Sequence, residues 1–152
     1  IRFMLFFSYI YFYRFFIIGQ KMFRYHAAEH MAIHAFEHKK NLTINTLKEF
    51  HKEHPRCGTA FLAFVFIYAN IIFHTLVLDV SFLFLIRLFI SLFVISLTYE
   101  TLLIGWKSNN LIIGKILNLP GFLLQKITTM KPDNNDLELA IVATKKCIDL
   151  HK

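Results

Sequence analysis

The chain has 152 residues, 56% of them apolar and 16% aromatic, with 18 phenylalanines, only 18% charged residues and a formal net charge of +7. A soluble domain carries about a quarter of its residues as charges, so this composition argues against an ordinary soluble globule and for an all-α membrane protein. The basic excess suits an anionic membrane surface, and no motif for nucleic acid accompanies it. The chain begins at Ile1 rather than Met, which leaves room for an N-terminal portion ahead of it.

In chain order, residues 3–19, "FMLFFSYIYFYRFFIIG", form a first apolar run that holds Arg14. A helix needs about 20 mostly apolar residues to cross the hydrocarbon core. The run is short, but no cleavage signal follows it, and it is read as a span rather than a signal peptide. Runs 60–80 and 81–105 meet the length requirement outright. About three transmembrane helices are therefore expected in a single membrane domain, 1–152, with polar segments at 20–59 and 106–152. Lys21, Arg24, Lys39, Lys40, Lys48, Lys52 and Arg56 lie in the first segment, and seven lysines follow residue 105. The positive-inside rule places both segments in the cytoplasm of a bacterial cell with the chain multi-pass in the inner membrane. Cys57 and Cys147 are then in a reducing compartment and no disulfide is expected.

The first polar segment opens on "YHAAEHMAIHAFEHKK", residues 25–40, in which His26, His30, His34 and His38 recur every four residues. Such residues are about 40° apart on a helix, so the row forms one polar face with Glu37 on it, backed by Tyr25, Ala28, Met31, Ala32, Ala35 and Phe36. His26 and His38 are about 18 Å apart along the axis, too far to share one ion. An adjacent pair can share one. His26 and His30 are preferred because "HAAEH" fits the H-x-x-E-H pattern of inverted zinc hydrolases. Glu29 is then placed as a general base and not as a ligand. His34 and His38 extend the polar face. Alternatively, the whole row is a polar interface helix without metal.

Next, "TINTLKEFHKEH" reads as a short helix capped by Thr43, and "HPRCGT", 54–59, as a turn at the mouth of the second span, which Thr59 can cap. His54 and Cys57 have the short spacing of zinc ligands, and Arg56 favours a thiolate at Cys57. Tyr99 and Glu100 sit near the end of the third span, where a carboxylate is costly unless paired or hydrated. Arg87 snorkels or pairs with Asp79. In the tail, "LIIGKILNLPGFLLQKI" reads as two short apolar pieces around a Pro120–Gly121 turn. A C-terminal amphipathic helix follows, opened by Pro132 and Asp133, with an apolar stripe of Leu137, Ala140, Ile141, Thr144 and Ile148.

"YHAAEH", "HPRCGT", "YE" and "PGFLLQKITTMKP", in that order, resemble the YqhQ family of bacterial membrane proteins, a family of unknown function described as predicted metal-dependent enzymes. The resemblance covers nearly the whole chain. It falls on Tyr25, His26, Ala28, Glu29, His30 and Glu37, on residues 54–59 from His54 through Arg56 and Cys57 to Thr59, on Tyr99 and Glu100, and on Pro120, Gly121, Gln125, Thr128, Thr129 and Pro132, and it leaves out His38. It implies that the chain corresponds to the second half of a family member, the first half being absent here and a candidate partner in completing the site.

The expectation is an integral membrane protein that acts as a zinc-dependent hydrolase at the cytoplasmic face. His26 and His30 are ligands of Zn2+, with His54, Cys57 or Glu37 as the third, Glu29 is the base, and Arg56 or Tyr25 stabilises an oxyanion. The alternative is a non-enzymatic membrane adaptor or assembly factor whose basic segments dock a protein complex, such as another membrane protein, or anionic lipid.

Overall fold

The computed structural model describes residues 1–75, 83–108 and 111–150. Among them are seven helices and no strand: α1 (Arg2–Tyr13), α2 (Ile17–Glu37), α3 (Ile44–Leu47), α4 (Gly58–Thr75), α5 (Leu83–Lys107), α6 (Leu111–Thr128) and α7 (Asn134–Leu150). Contacts divide the chain into two compact units, Ile1–His54 with Gln125–Lys152, and Pro55–Leu124.

The first unit is built on α2. Ala28, Met31, Ala32 and Ala35 form a buried stripe at helical spacing and pack against Leu47 of α3 and Leu137 and Ile141 of α7. The stripe is mostly alanine, which lets the neighbouring helices lie close to α2. Tyr25 and Phe36, expected on the same apolar back, are instead exposed. Helix α3 starts at Thr43, whose side chain accepts the Thr46 N–H, and that satisfies one of the unpaired donors of its first turn. Helix α7 starts with a reciprocal pair in which Asp133 N–H donates to Asp136 Oδ2 and Asp136 N–H donates to Asp133 Oδ1, each at 2.9 Å. Arg24 of α2 reaches both acids, with its Nε 3.1 Å from buried Asp136. A further backbone bond, Met130 N–H to Phe23 O at 3.0 Å, ties the stretch before α7 to α2.

Run 3–19 is not one helix. Helix α1 ends at Tyr13, Phe16 is extended, and α2 begins at Ile17. A Cβ on Gly19 would lie 2.0 Å from Tyr13 O, so the start of α2 lies against the end of α1 at a distance only glycine allows. Helix α1 alone is 12 residues, or about 18 Å, too short for a hydrocarbon core of about 30 Å. Two helices among the described residues, not three, are long and apolar enough to cross a membrane: 58–75 and 85–107.

Those two make up most of the second unit, where α4 and α5 pack together and Ala60, Ala63, Phe64, Val94 and Thr98 are buried. Tyr68 Oη and Thr101 Oγ1 join them by a 2.9 Å hydrogen bond. Only 17% of either apolar window is buried within the chain, so neither is the core helix of a globule. The α4 helix begins two residues earlier than the predicted span. Its cap is Cys57, whose Sγ accepts the Thr59 N–H at 3.4 Å, rather than Thr59. Asp79, the expected partner of Arg87, lies outside the described residues, as do the end of run 60–80 and the start of run 81–105. Helix α6 runs through Pro120 without a turn. The proline removes one ladder donor, yet the helix continues from Leu111 to Thr128, so the Pro-Gly pair does not divide it.

Candidate metal centre

Each histidine of the α2 row is held by a backbone carbonyl. His26 Nδ1 lies 3.0 Å from Thr128 O, and His30 Nδ1 lies 2.6 Å from Lys52 O. A carbonyl only accepts, so in both rings Nδ1 carries the proton and Nε2 keeps its lone pair. This is the tautomer of a metal-ligating imidazole whose other nitrogen is fixed by a hydrogen bond. The two rings are 4.3 Å apart between centroids, so the i, i+4 pair does present two imidazoles side by side. His30 is buried and His26 half-buried. This pair of nitrogen donors suits Zn2+, a borderline-soft ion that imidazole binds well.

His34 is fixed the other way round, with Nε2 2.9 Å from Glu53 O, so its lone pair is on Nδ1. Its ring stacks on Phe50 at an interplanar angle of 8° and lies 4.5 Å from the His54 ring. His54 is buried, 2% exposed, at the end of the segment that follows α3. Its backbone is clamped by the fully buried Gln125: His54 N–H donates to Oε1 at 2.7 Å, and Nε2 donates back to His54 O at 3.0 Å. Its side chain reaches Glu37, with Nε2 3.2 Å from Oε2. Burial holds the His54 pKa below the usual imidazole value, against the opposing pull of the Glu37 carboxylate. Donor atoms of His34, Glu37 and His54 all lie within 4.8 Å of one another. His38 is exposed and donates to His34 O in its own helix.

Tyr25, His26 and Glu29 line one side of a 440 Å³ cleft between α2 and α7, which Met22, Leu139, Ala140 and Ala143 make mainly apolar. Of the residues singled out from sequence, the first unit thus contains Tyr25, His26, Glu29, His30, Glu37 and His54. Arg56 and Cys57 belong to the second unit. There the Arg56 guanidinium lies 3.6 Å from the centroid of the Trp106 ring, and both residues line a 410 Å³ cleft with Phe61 and Tyr99. Glu100 is exposed on α5. Nothing in the sequence singles out the carbonyls of Lys52, Glu53 and Thr128. They come from segments remote in sequence and carry no side-chain signature. Nor did it mark His34, which periodicity alone cannot distinguish from His38.

No solved structure matches the chain. Among curated proteins it is 28% identical over 144 residues to "Uncharacterized protein YqhQ" of Bacillus subtilis (strain 168). The match covers 94% of this chain and 45% of that protein, so the chain spans a little under half the length of the curated relative. A family model for proteins of unknown function matches residues 1–150, and the chain belongs to that family, DUF1385.

Proposed function

We propose that the chain is part of a membrane-bound, metal-dependent hydrolase in which His26 and His30 hold the metal and Glu29 serves as general base. One observation carries this reading: an imidazole held at Nδ1 (His26), a carboxylate (Glu29) and a phenol (Tyr25) line the same apolar-walled cleft. Bound Zn2+ supplies Lewis acidity and acidifies water at neutral pH. Glu29, exposed at the cleft wall, accepts the proton from attacking water. The Tyr25 hydroxyl donates a hydrogen bond to the oxygen that gains charge. Met22, Leu139 and Ala143 exclude water from an apolar portion of the substrate, which fits a lipid or peptide near the membrane surface. A third donor completes the set. The residues considered for it from the sequence are His54, Cys57 and Glu37. Helices α4 and α5 anchor the chain in the bacterial inner membrane with the basic segments cytoplasmic, membrane lipid being the immediate partner.

Replacement of Glu29 by Gln keeps shape and hydrogen-bonding reach but removes the basic oxygen. The metal and fold are expected to stay, and turnover of a demonstrated substrate to fall about 10²–10⁴-fold. Full activity in this variant removes Glu29 from the mechanism. Loss of metal makes it a ligand. Wild-type protein that carries no metal and is unchanged by a chelator favours the adaptor instead. For the orientation, a Cys introduced at Asn45 is expected to resist an impermeant reagent applied to intact cells and one at position 79 to react. The reverse pattern overturns the cytoplasmic placement.

A further inference from the structure

We propose a second divalent-metal site in the first unit, formed by His34, Glu37 and His54 and distinct from the His26–His30 pair. Three features carry it. First, donor atoms from two imidazoles and one carboxylate converge within 4.8 Å of one another, from α2 and from the segment after α3. Ligands at about 2.0–2.1 Å from a tetrahedral zinc are about 3.3 Å from each other, and His54 Nε2 and Glu37 Oε2 already stand 3.2 Å apart. Second, two of the groups are held in place before any ion arrives. His34 is fixed by Glu53 O and stacked on Phe50, and the His54 backbone is pinned on both sides by Gln125. A site assembled from such pre-positioned groups loses little side-chain freedom on binding. Third, the Glu37 side chain, 30% exposed, gives an ion a route from solvent to the buried His54 ring. Two imidazoles and a carboxylate are the protein ligands of open zinc sites, with a fourth position left for water.

Gln125 acts here as a positioning residue. It touches no donor atom but sets where the His54 ring stands.

The test counts zinc in the full chain, purified in detergent without a His-tag, loaded with Zn2+ and desalted. Wild type is expected to retain about two ions per chain, and Glu37→Gln and His34→Gln about one each. His26→Ala/His30→Ala is also expected to retain about one, and His38→Ala to match wild type. Cobalt substitution adds a spectral readout. The visible band that survives in His26→Ala/His30→Ala should disappear when Glu37→Gln is added. Unchanged zinc in Glu37→Gln overturns the second site. One wild-type ion that resists Glu37→Gln but is lost from the His26/His30 variant also overturns it and leaves the proposed hydrolase standing. One ion with the opposite pattern supports the second site and removes the pair. Glu37 projects to solvent, so its variant decides the matter even where His34→Gln fails to fold.

Discussion

Among the described residues, the two units of this chain differ in the polar groups they bury. In the first, His30, His54, Gln125, Thr129 and Asp136 are all under 5% exposed and hydrogen-bonded or ion-paired. In the second, large apolar side chains face outward along α5: Leu85, Phe89, Leu92 and Phe93 are 53–69% exposed. Polar groups left in a protein interior cost free energy unless every one is matched, and exposed phenylalanines cost free energy in water but not in hydrocarbon. On the function proposed above, chemistry belongs to the first unit and anchoring to the second, although both belong to one strongly apolar sequence.

The largest effect that could break this division concerns α5. Arginine at Leu92 and Phe93 near the helix middle is expected to oppose insertion by about 5–7 kcal/mol together, and the double variant should leave the carbonate-resistant membrane fraction. A variant that stays membrane-bound shows that α5 does not face lipid. Next in size is Leu47→Ala, which empties a fully buried position in the first unit and should cost about 2–5 kcal/mol in a thermal or denaturant melt. Leu92→Ala in detergent should fall within about 0.5 kcal/mol of wild type, as exposed positions usually do. Equal costs at the two sites would erase the difference between the units. Gln125→Ala leaves the buried N–H and C=O of His54 without their partner and should destabilise by about 1–3 kcal/mol, with weaker zinc retention at the His54 site. A melt that matches wild type would show that the clamp does not hold His54.

The smallest effect is at the start of α7. The backbone N–H of Asp136, helped by Arg24, holds the Asp133 pKa below the usual carboxylate value. A group with a depressed folded pKa contributes stability above its unfolded value, about 3.9, and loses it as pH falls through the folded value. The protection of the Asp136 amide against exchange, relative to its intrinsic rate, should therefore fall below about pH 4, and Asp133→Asn should remove that fall.

What the sequence revealed follows the same division. Runs 60–80 and 81–105 were legible because a membrane helix needs only continuous apolarity. The caps at Thr43 and Asp133 were legible because a cap is a local pattern. The break inside 3–19 was not, since Phe, Tyr and Ile run on through it and the close approach of Gly19 to Tyr13 O that accompanies it has no apolarity signal. Nor was the continuation of α6 through Pro120, where neighbouring turns outweigh one lost hydrogen bond. Within the site, spacing located the His26–His30 pair. Both His34 and His38 lie against Phe50; what separates His34 is a bond to Glu53 O, across 19 residues of sequence, on which helical periodicity has no bearing.

Zinc K-edge X-ray absorption on the detergent-extracted wild type tests the assignment of chemistry to the first unit most directly. The expected spectrum has a first shell near 2.0–2.1 Å and the multiple-scattering features of imidazole, which weaken in His26→Ala/His30→Ala. A protein that retains no zinc, or whose zinc shows only a hydrated oxygen shell without imidazole, would contradict it.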